Sequence, residues 1–264
     1  MKTVPILRKS QLLSKRMDIT IHVTSVGGCE RQVYHKLHER DEQLPSHFTA
    51  VRGTMAHTLI ERCIKGNDIK ASLDKPFEDI TYPKLLGGRG DNSKITERIY
   101  NKALPFVDTY MKNFETWISN TDIDLSDMLS EQKHELNYRG IKLSGTMDLH
   151  DDNMIIDFKT GKKTSNKEHI QQLGGYVWML KELDIANIET VKMVYLGKED
   201  SQMKDIEVDL TGKLPEGKGM FIGNLHKTIE TYRKAYDLTD KYELPCKFGF
   251  MCGLCGWRHR CSGI

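Results

Sequence analysis

The stretch Gly145-Thr146-Met147-Asp148, followed by a polar turn at Asp151-Asp152-Asn153 and by Ile155-Ile156-Asp157-Phe158-Lys159-Thr160-Gly161, has the pattern of two strands joined by a short hairpin. Side chains alternate along a strand, so Asp157 and Lys159 fall on one face. Asp157 follows the apolar, β-prone run Met154-Ile155-Ile156, where a carboxylate costs free energy unless something cationic satisfies it. Asp148 and Asp157 together can bind a hard cation such as Mg²⁺ or Mn²⁺ through oxygen. The Lys159 ammonium can orient an attacking water and offset charge on a phosphoryl oxygen. This is the chemistry of phosphodiester hydrolysis. Asp-x-Lys alone is a weak signal, common on solvated strand faces, so the rest of the chain has to support it.

Downstream, 167–183 reads as a helix, with Ile170, Leu173, Val177 and Leu180 spaced by three and four. Gln172 and Tyr176 lie one turn apart on it and can position a scissile phosphate or a base beside the metal face. Gly174-Gly175 between them costs about 2 kcal/mol relative to alanine, so a close approach of something to this helix is expected. Upstream, the run from Arg52 to Glu61 reads as another amphipathic helix. A lone histidine on a helix is usually structural. Met55, Leu59 and Ile60 leave His57 few local partners, however, so a metal or a carboxylate would satisfy its ring.

The six cysteines supply a second signal. Cys252, Cys255 and Cys261 form C-x2-C-x5-C close to the C-terminus. Thiols crowded so closely, in a chain without a signal-peptide pattern, read as metal or cluster ligands rather than as a disulfide framework. A tetrahedral zinc site could complete itself with Cys246. An iron–sulphur cluster tolerates a distant fourth cysteine, and Cys29, at the opening of an N-terminal helix after Ser25-Val26-Gly27-Gly28, favours that filling. A cluster held this way would clasp the two ends of the chain.

In order along the chain stand Cys29-x-Arg31, Gly53-x3-His57, Gly145-x2-Asp148, Asp157-x-Lys159, Gln172-x3-Tyr176 and Cys252-x2-Cys255-x5-Cys261. This series resembles the PD-(D/E)XK nuclease superfamily, and within it the RecB-like branch with an iron–sulphur cluster: the CRISPR-associated iron–sulphur exonucleases and AddB-type nuclease domains. Each motif is weak alone; six in order span nearly the whole chain. The resemblance implies that His57, Asp148 and Asp157 ligate Mn²⁺ or Mg²⁺ with help from the Phe158 carbonyl, and that Lys159, Gln172 and Tyr176 serve catalysis. It implies a [4Fe–4S] cluster on Cys29, Cys252, Cys255 and Cys261, and it matches Glu131 to an acidic position ahead of the first core strand. Cys63 and Cys246 receive no role from it, and Cys63 reads as a small core residue.

The fold expected is α/β: a PD-(D/E)XK restriction-endonuclease-like core with a small mixed sheet flanked by helices. An N-terminal helical region precedes it, and a C-terminal cysteine tail closes an iron–sulphur cluster. Residues 1–264 read as one domain. Its parts are N-terminal helices at 20–65, a helical insertion or lid at 66–130, the nuclease core at 131–210 and a helix with the cysteine tail at 211–264. Strands are expected near 134–149 and 154–160, at 191–196 and, as an edge strand, at 206–210; long helices are expected at 94–119 and 220–238.

Composition agrees with an intracellular, cytoplasmic enzyme. The 38% hydrophobic content suffices for a core, and no apolar run reaches membrane-spanning length, so no membrane partner is expected. The 39 basic and 37 acidic residues leave only +2, so DNA would be held by local patches such as Arg89, Lys159, Lys162, Lys163, Lys167, Arg258 and Arg260. The leading expectation is a metal-dependent exonuclease on single-stranded or frayed DNA ends. By resemblance it would serve CRISPR spacer acquisition or recombination and repair, beside spacer-integration or helicase proteins. A non-catalytic nucleic-acid-binding scaffold of the same fold and a zinc-containing endonuclease are the alternatives. Intact Asp148, Asp157 and Lys159 argue against the scaffold.

Overall fold

The computed structural model describes residues 19–39, 48–66, 93–160, 167–197 and 207–247, together with Cys252, Cys255, Trp257, His259, Arg260 and Cys261; segments 48–51 and 93–100 are described by backbone alone. The glycine-rich 86–91 stretch and the basic residues Arg89, Lys162, Lys163 and Arg258 lie outside the described residues.

A six-stranded mixed sheet forms the centre. Its strands are β1 (Thr20–His22), β2 (Leu129–Tyr138), β3 (Ile141–His150), β4 (Met154–Lys159), β5 (Thr190–Tyr195) and β6 (Glu207–Asp209). The helices are α1 (Glu30–His38), α2 (Phe48–Ile64), α3 (Ser93–Asn120), α4 (Lys167–Glu182) and α5 (Leu214–Asp237). The order β1-β3-β4-β5-β6 runs along the sheet, with β2 added to β3. β2 pairs with β3 from one end to the other. The opposite edge of β3 is therefore shared: parallel β1 takes Lys142, Leu143 and Ser144, and antiparallel β4 takes only Leu149 and His150. Between those two ladders β3 and β4 part, and Asp148 lies where they diverge.

Apolar residues fill both faces, as expected of a sheet between helical layers. Ile21, Leu143, Ile155, Val191 and Met193 pack with Leu173 and Met179 of α4 and with Phe221 and Leu225 of α5. Leu149, Ile156, Phe158 and Val194 pack with Met55 and Leu59 of α2 and with Tyr110, Phe114 and Trp117 of α3. The C-terminal half of α3 thus belongs to the core layer that backs β4.

Two sequence expectations need correction. The N-terminal region is not purely helical: Ile19, Ile21 and Val23 are buried and Thr20 and His22 exposed, the alternation of a strand too short to stand out against its helical neighbours. The span 134–149 is not one strand but the end of β2, a two-residue turn and β3. Tyr138 pairs with Ile141, and Arg139 and Gly140 both take positive φ, at 51° and 79°, as a tight hairpin of this twist requires. Glu131 accordingly lies inside β2 rather than ahead of it.

The glycine pair on α4 marks a helix crossing. A Cβ on Gly174 would stand 2.3 Å from the backbone carbon of Gly217 on α5, and one on Gly175 would stand 2.6 Å from the Phe221 ring. The partner in the close approach is therefore α5. Gly145 plays the same part for Tyr176, whose Cε1 would lie 3.0 Å from an added Cβ.

Candidate active site

Glu131 and Asp148 face each other between the cross-strand pairs Ser130–Leu149 and Gln132–Met147. Like charges directly opposite are unfavourable on a ladder. His57, delivered by α2, resolves the conflict: its Nδ1 lies 3.1 Å from Asp148 Oδ1 and 3.4 Å from Glu131 Oε1. Burial alone would lower the His57 pKa, but the Asp148 and Glu131 carboxylates outweigh it and raise it to about 10. Glu131 adopts φ 49°, a conformation uncommon for a residue with a Cβ and a form of strain that clusters at functional sites. Ligand atoms of His57, Glu131 and Asp148 all lie within 4.8 Å of one another, as a shared cation requires.

Asp148 is fixed from its other side. The Phe158 backbone N–H donates to Asp148 Oδ2 at 2.6 Å, replacing the ladder bond that the fork removes. Burial would raise the Asp148 pKa, yet the His57 charge, Lys159 and the Phe158 N–H together hold it below the ordinary carboxylate range.

Asp157 and Lys159 project together toward α4. Lys159 Nζ lies 2.6 Å from Asp157 Oδ2 in a buried ion pair. Burial, with Asp148 adding to it, pushes the Asp157 pKa up to about 6 against the pull of Lys159 and His57. Burial would lower the pKa of Lys159, but Asp157 and Asp148 raise it above the ordinary lysine value, so it stays an ammonium. Gln172 bridges the pair: Lys159 Nζ donates to its Oε1 at 3.5 Å, and its Nε2 reaches Asp157 Oδ1 at 3.4 Å and the Tyr176 hydroxyl at 3.0 Å. Burial raises the Tyr176 pKa, so its hydroxyl remains protonated.

The site residues named from sequence thus come together as two groups, His57 with Asp148 and Asp157–Lys159 with Gln172 and Tyr176. Phe158 contributes its N–H to Asp148. Glu131, which the resemblance matches to an acidic position of the family, joins the first group through its place opposite Asp148 in the strand register. Outside the site, Lys167 is exposed and Arg260 pairs with Glu39 at 3.6 Å.

α1 and the segment from Leu244 to Cys261 meet. The Arg31 backbone N–H donates to the Pro245 carbonyl, and the Trp257 indole N–H donates to the Glu39 carbonyl at 3.1 Å. Cys246 Sγ lies 3.7 Å from Cys261 Sγ, and Arg31 Nη1 donates to Cys261 Sγ at 3.6 Å. Cys29 is within hydrogen-bond reach of Cys246, whose thiol is pushed up to about 12 by burial and by its contacts with Cys261 and Cys29. Burial also raises the pKa of Cys255, with the nearby sulphurs of Cys29, Cys261 and Cys252 adding to it. Cys246, given no role by the resemblance but open to a zinc site in the tail, therefore stands within the cysteine group.

No curated protein matches the chain in sequence. A crystal structure of a protein from Eubacterium rectale, described as a candidate exonuclease, aligns over 99% of this chain and 100% of its own, with 14% identity and a TM-score of 0.49. The model of the PD-(D/E)XK nuclease superfamily matches residues 22–262. With a forked mixed sheet between helical layers and that match across nearly its full length, the chain belongs to the PD-(D/E)XK nuclease superfamily.

Proposed function

We propose that this protein is a divalent-metal-dependent deoxyribonuclease that degrades single-stranded or frayed DNA from its ends. The observation that carries the reading is the pairing of two groups at the β3–β4 fork: Asp148 of β3 with His57 and Glu131, and Asp157 with Lys159 on β4. The ligand atoms of His57, Glu131 and Asp148 within 4.8 Å of one another, with the buried Asp157 carboxylate beside them, suit a hard cation such as Mn²⁺ or Mg²⁺. His57, Asp148 and Asp157 would hold it, with the Phe158 carbonyl and Glu131 in support. A bound divalent cation lowers the pKa of water and offsets charge on a phosphoryl oxygen.

The side chains of the site supply the rest. Lys159, kept cationic, orients the attacking water and faces the charge that grows on the phosphoryl oxygens. Gln172 fixes Lys159 and Asp157 relative to each other, and Tyr176 anchors Gln172. Hydrolysis joins the water oxygen to phosphorus while the bond to one sugar oxygen breaks, and that oxygen leaves with a proton.

Cys29, Cys252, Cys255 and Cys261 are the proposed ligands of a [4Fe–4S] cluster that clasps α1 to the C-terminal tail. The gathered thiols, with Arg31 against Cys261, suit a group that binds thiolates. The role proposed is CRISPR spacer acquisition or DNA recombination and repair, in the cytoplasm, beside spacer-integration or helicase proteins. Among the described residues no helix is long and apolar enough to cross a membrane.

The test is digestion of end-labelled linear and closed circular DNA, single- and double-stranded, with Mn²⁺, Mg²⁺ or EDTA. Metal-dependent release of nucleotides from linear single strands, with circles spared, is expected. Absence of metal-dependent cleavage of any substrate would overturn the proposal.

A further inference from the structure

His169 stands on the face of α4 that carries Gln172 and Tyr176. At about 100° per residue the three positions fall within about 60° of one another around the helix axis. The imidazole is half-buried, and its Nδ1 is buried with no hydrogen-bond partner among the described residues. Burial and the neighbouring Lys159 ammonium push the His169 pKa down to about 4, so the ring is neutral at physiological pH. A neutral imidazole carries one N–H. On Nδ1 that proton would be a buried donor without an acceptor, so the favoured tautomer places it on Nε2, toward the open side. The polar groups of Lys159 and Gln172 are meanwhile engaged with Asp157, Tyr176 and each other. With its proton on Nε2, His169 presents on this helix face a donor that no described residue takes up.

We infer that His169 is a substrate-binding residue of this site, donating its Nε2–H to a non-bridging phosphate oxygen of a single DNA strand. This rests on the nuclease reading and adds a contact to it. A neutral donor fits here because a second cation beside Lys159 would be repelled, whereas an N–H still orients a phosphate. His169 therefore contributes to holding the strand and not to holding the metal.

The experiment is fluorescence anisotropy of a labelled oligothymidylate titrated with the full chain in Ca²⁺ to suppress turnover, paired with steady-state kinetics in Mn²⁺. His169→Ala should weaken oligonucleotide binding about tenfold, the loss of one hydrogen bond to a charged acceptor. KM should rise more than kcat falls, and Mn²⁺ affinity should equal that of wild type. His169→Gln, which offers an amide N–H, should restore most of the affinity. The slope of log K against log[salt] should not change, because no charge is removed. Wild-type DNA affinity in His169→Ala, or a slope reduced by about 0.7, would overturn the inference. If His169→Ala does not fold, His169→Leu against His169→Gln makes the same comparison at matched size. Wild-type protein that binds the oligonucleotide but never cleaves DNA would instead overturn the nuclease reading.

Discussion

Glu131 stands opposite Asp148 across the β2–β3 ladder, and the His57 ring bridges the two carboxylates at 3.4 and 3.1 Å. Without a cation between them the pair would repel, so the position is built for positive charge, from His57 when it is protonated or from a metal.

Proton and metal therefore compete. Because the carboxylates raise the His57 pKa to about 10, a cation bound by that ring must displace its proton at neutral pH. Raising the pH removes the competitor, so Mn²⁺ affinity should rise about tenfold per pH unit between about pH 7 and 9. Below about pH 6 protonation of Asp157 should steepen the loss. Calorimetry at pH 7.5 in buffers of different ionisation enthalpy should show about one proton released per metal. In Glu131→Gln, Mn²⁺ affinity should fall about tenfold. Proton-neutral binding would show that His57 does not ligate.

Asp157 and Lys159 should separate binding from chemistry. Asp157→Ala removes a carboxylate of the metal face, so Mn²⁺ affinity and cleavage should both collapse. In Lys159→Ala the ammonium 2.6 Å from Asp157 Oδ2 is gone, and metal affinity should hold or improve. Single-turnover cleavage should nonetheless drop on the order of 10²-fold or more, through lost transition-state stabilisation. Unchanged cleavage in both variants would remove the pair from the mechanism.

The crossing of α4 and α5 should tolerate no side chain at Gly174. Gly174→Ala places a Cβ 2.3 Å from the Gly217 backbone, and overpacking against backbone should cost about 3 kcal/mol, more than the gain of about 1 kcal/mol in helix propensity. Gly223, on the same α5, has nothing within 4 Å of an added Cβ, so Gly223→Ala should stabilise by about 0.5–1 kcal/mol. Urea unfolding of the two variants gives opposite signs if the crossing is as described.

Anaerobically purified protein should be brown and hold about four irons per chain. Cys29→Ala and Cys255→Ala should lose the colour and stability together, because either opens the clasp between α1 and the tail. Cys246→Ala should keep both, although its sulphur lies 3.7 Å from that of Cys261. A colourless zinc protein whose metal depends on Cys246 and not on Cys29 would confine the site to the tail.

Local chemistry made much of this legible. The β3–β4 hairpin, α4 and α5 follow from apolar spacing and turn residues that act over a few positions, and their observed bounds differ from the expected ones by a few residues at most ends. Asp157 beside Lys159, and Gln172 one turn before Tyr176, follow from strand and helix periodicity. Thr20–His22 carried its alternation in plain view, but three residues give too little periodicity to outweigh a helical surrounding.

What the sequence by itself determined, then, is the set of local elements and the residue types that each presents: the carboxylates, the lysine, the histidine and the cysteine tail. Tertiary structure decided who meets whom. It set Glu131 opposite Asp148 with His57 between them, made α5 the neighbour that Gly174 admits, and drew Cys246 in beside Cys29 and Cys261. These contacts join residues far apart in the chain, and their energy comes from burying the sheet between two helical layers, which no local window of sequence contains.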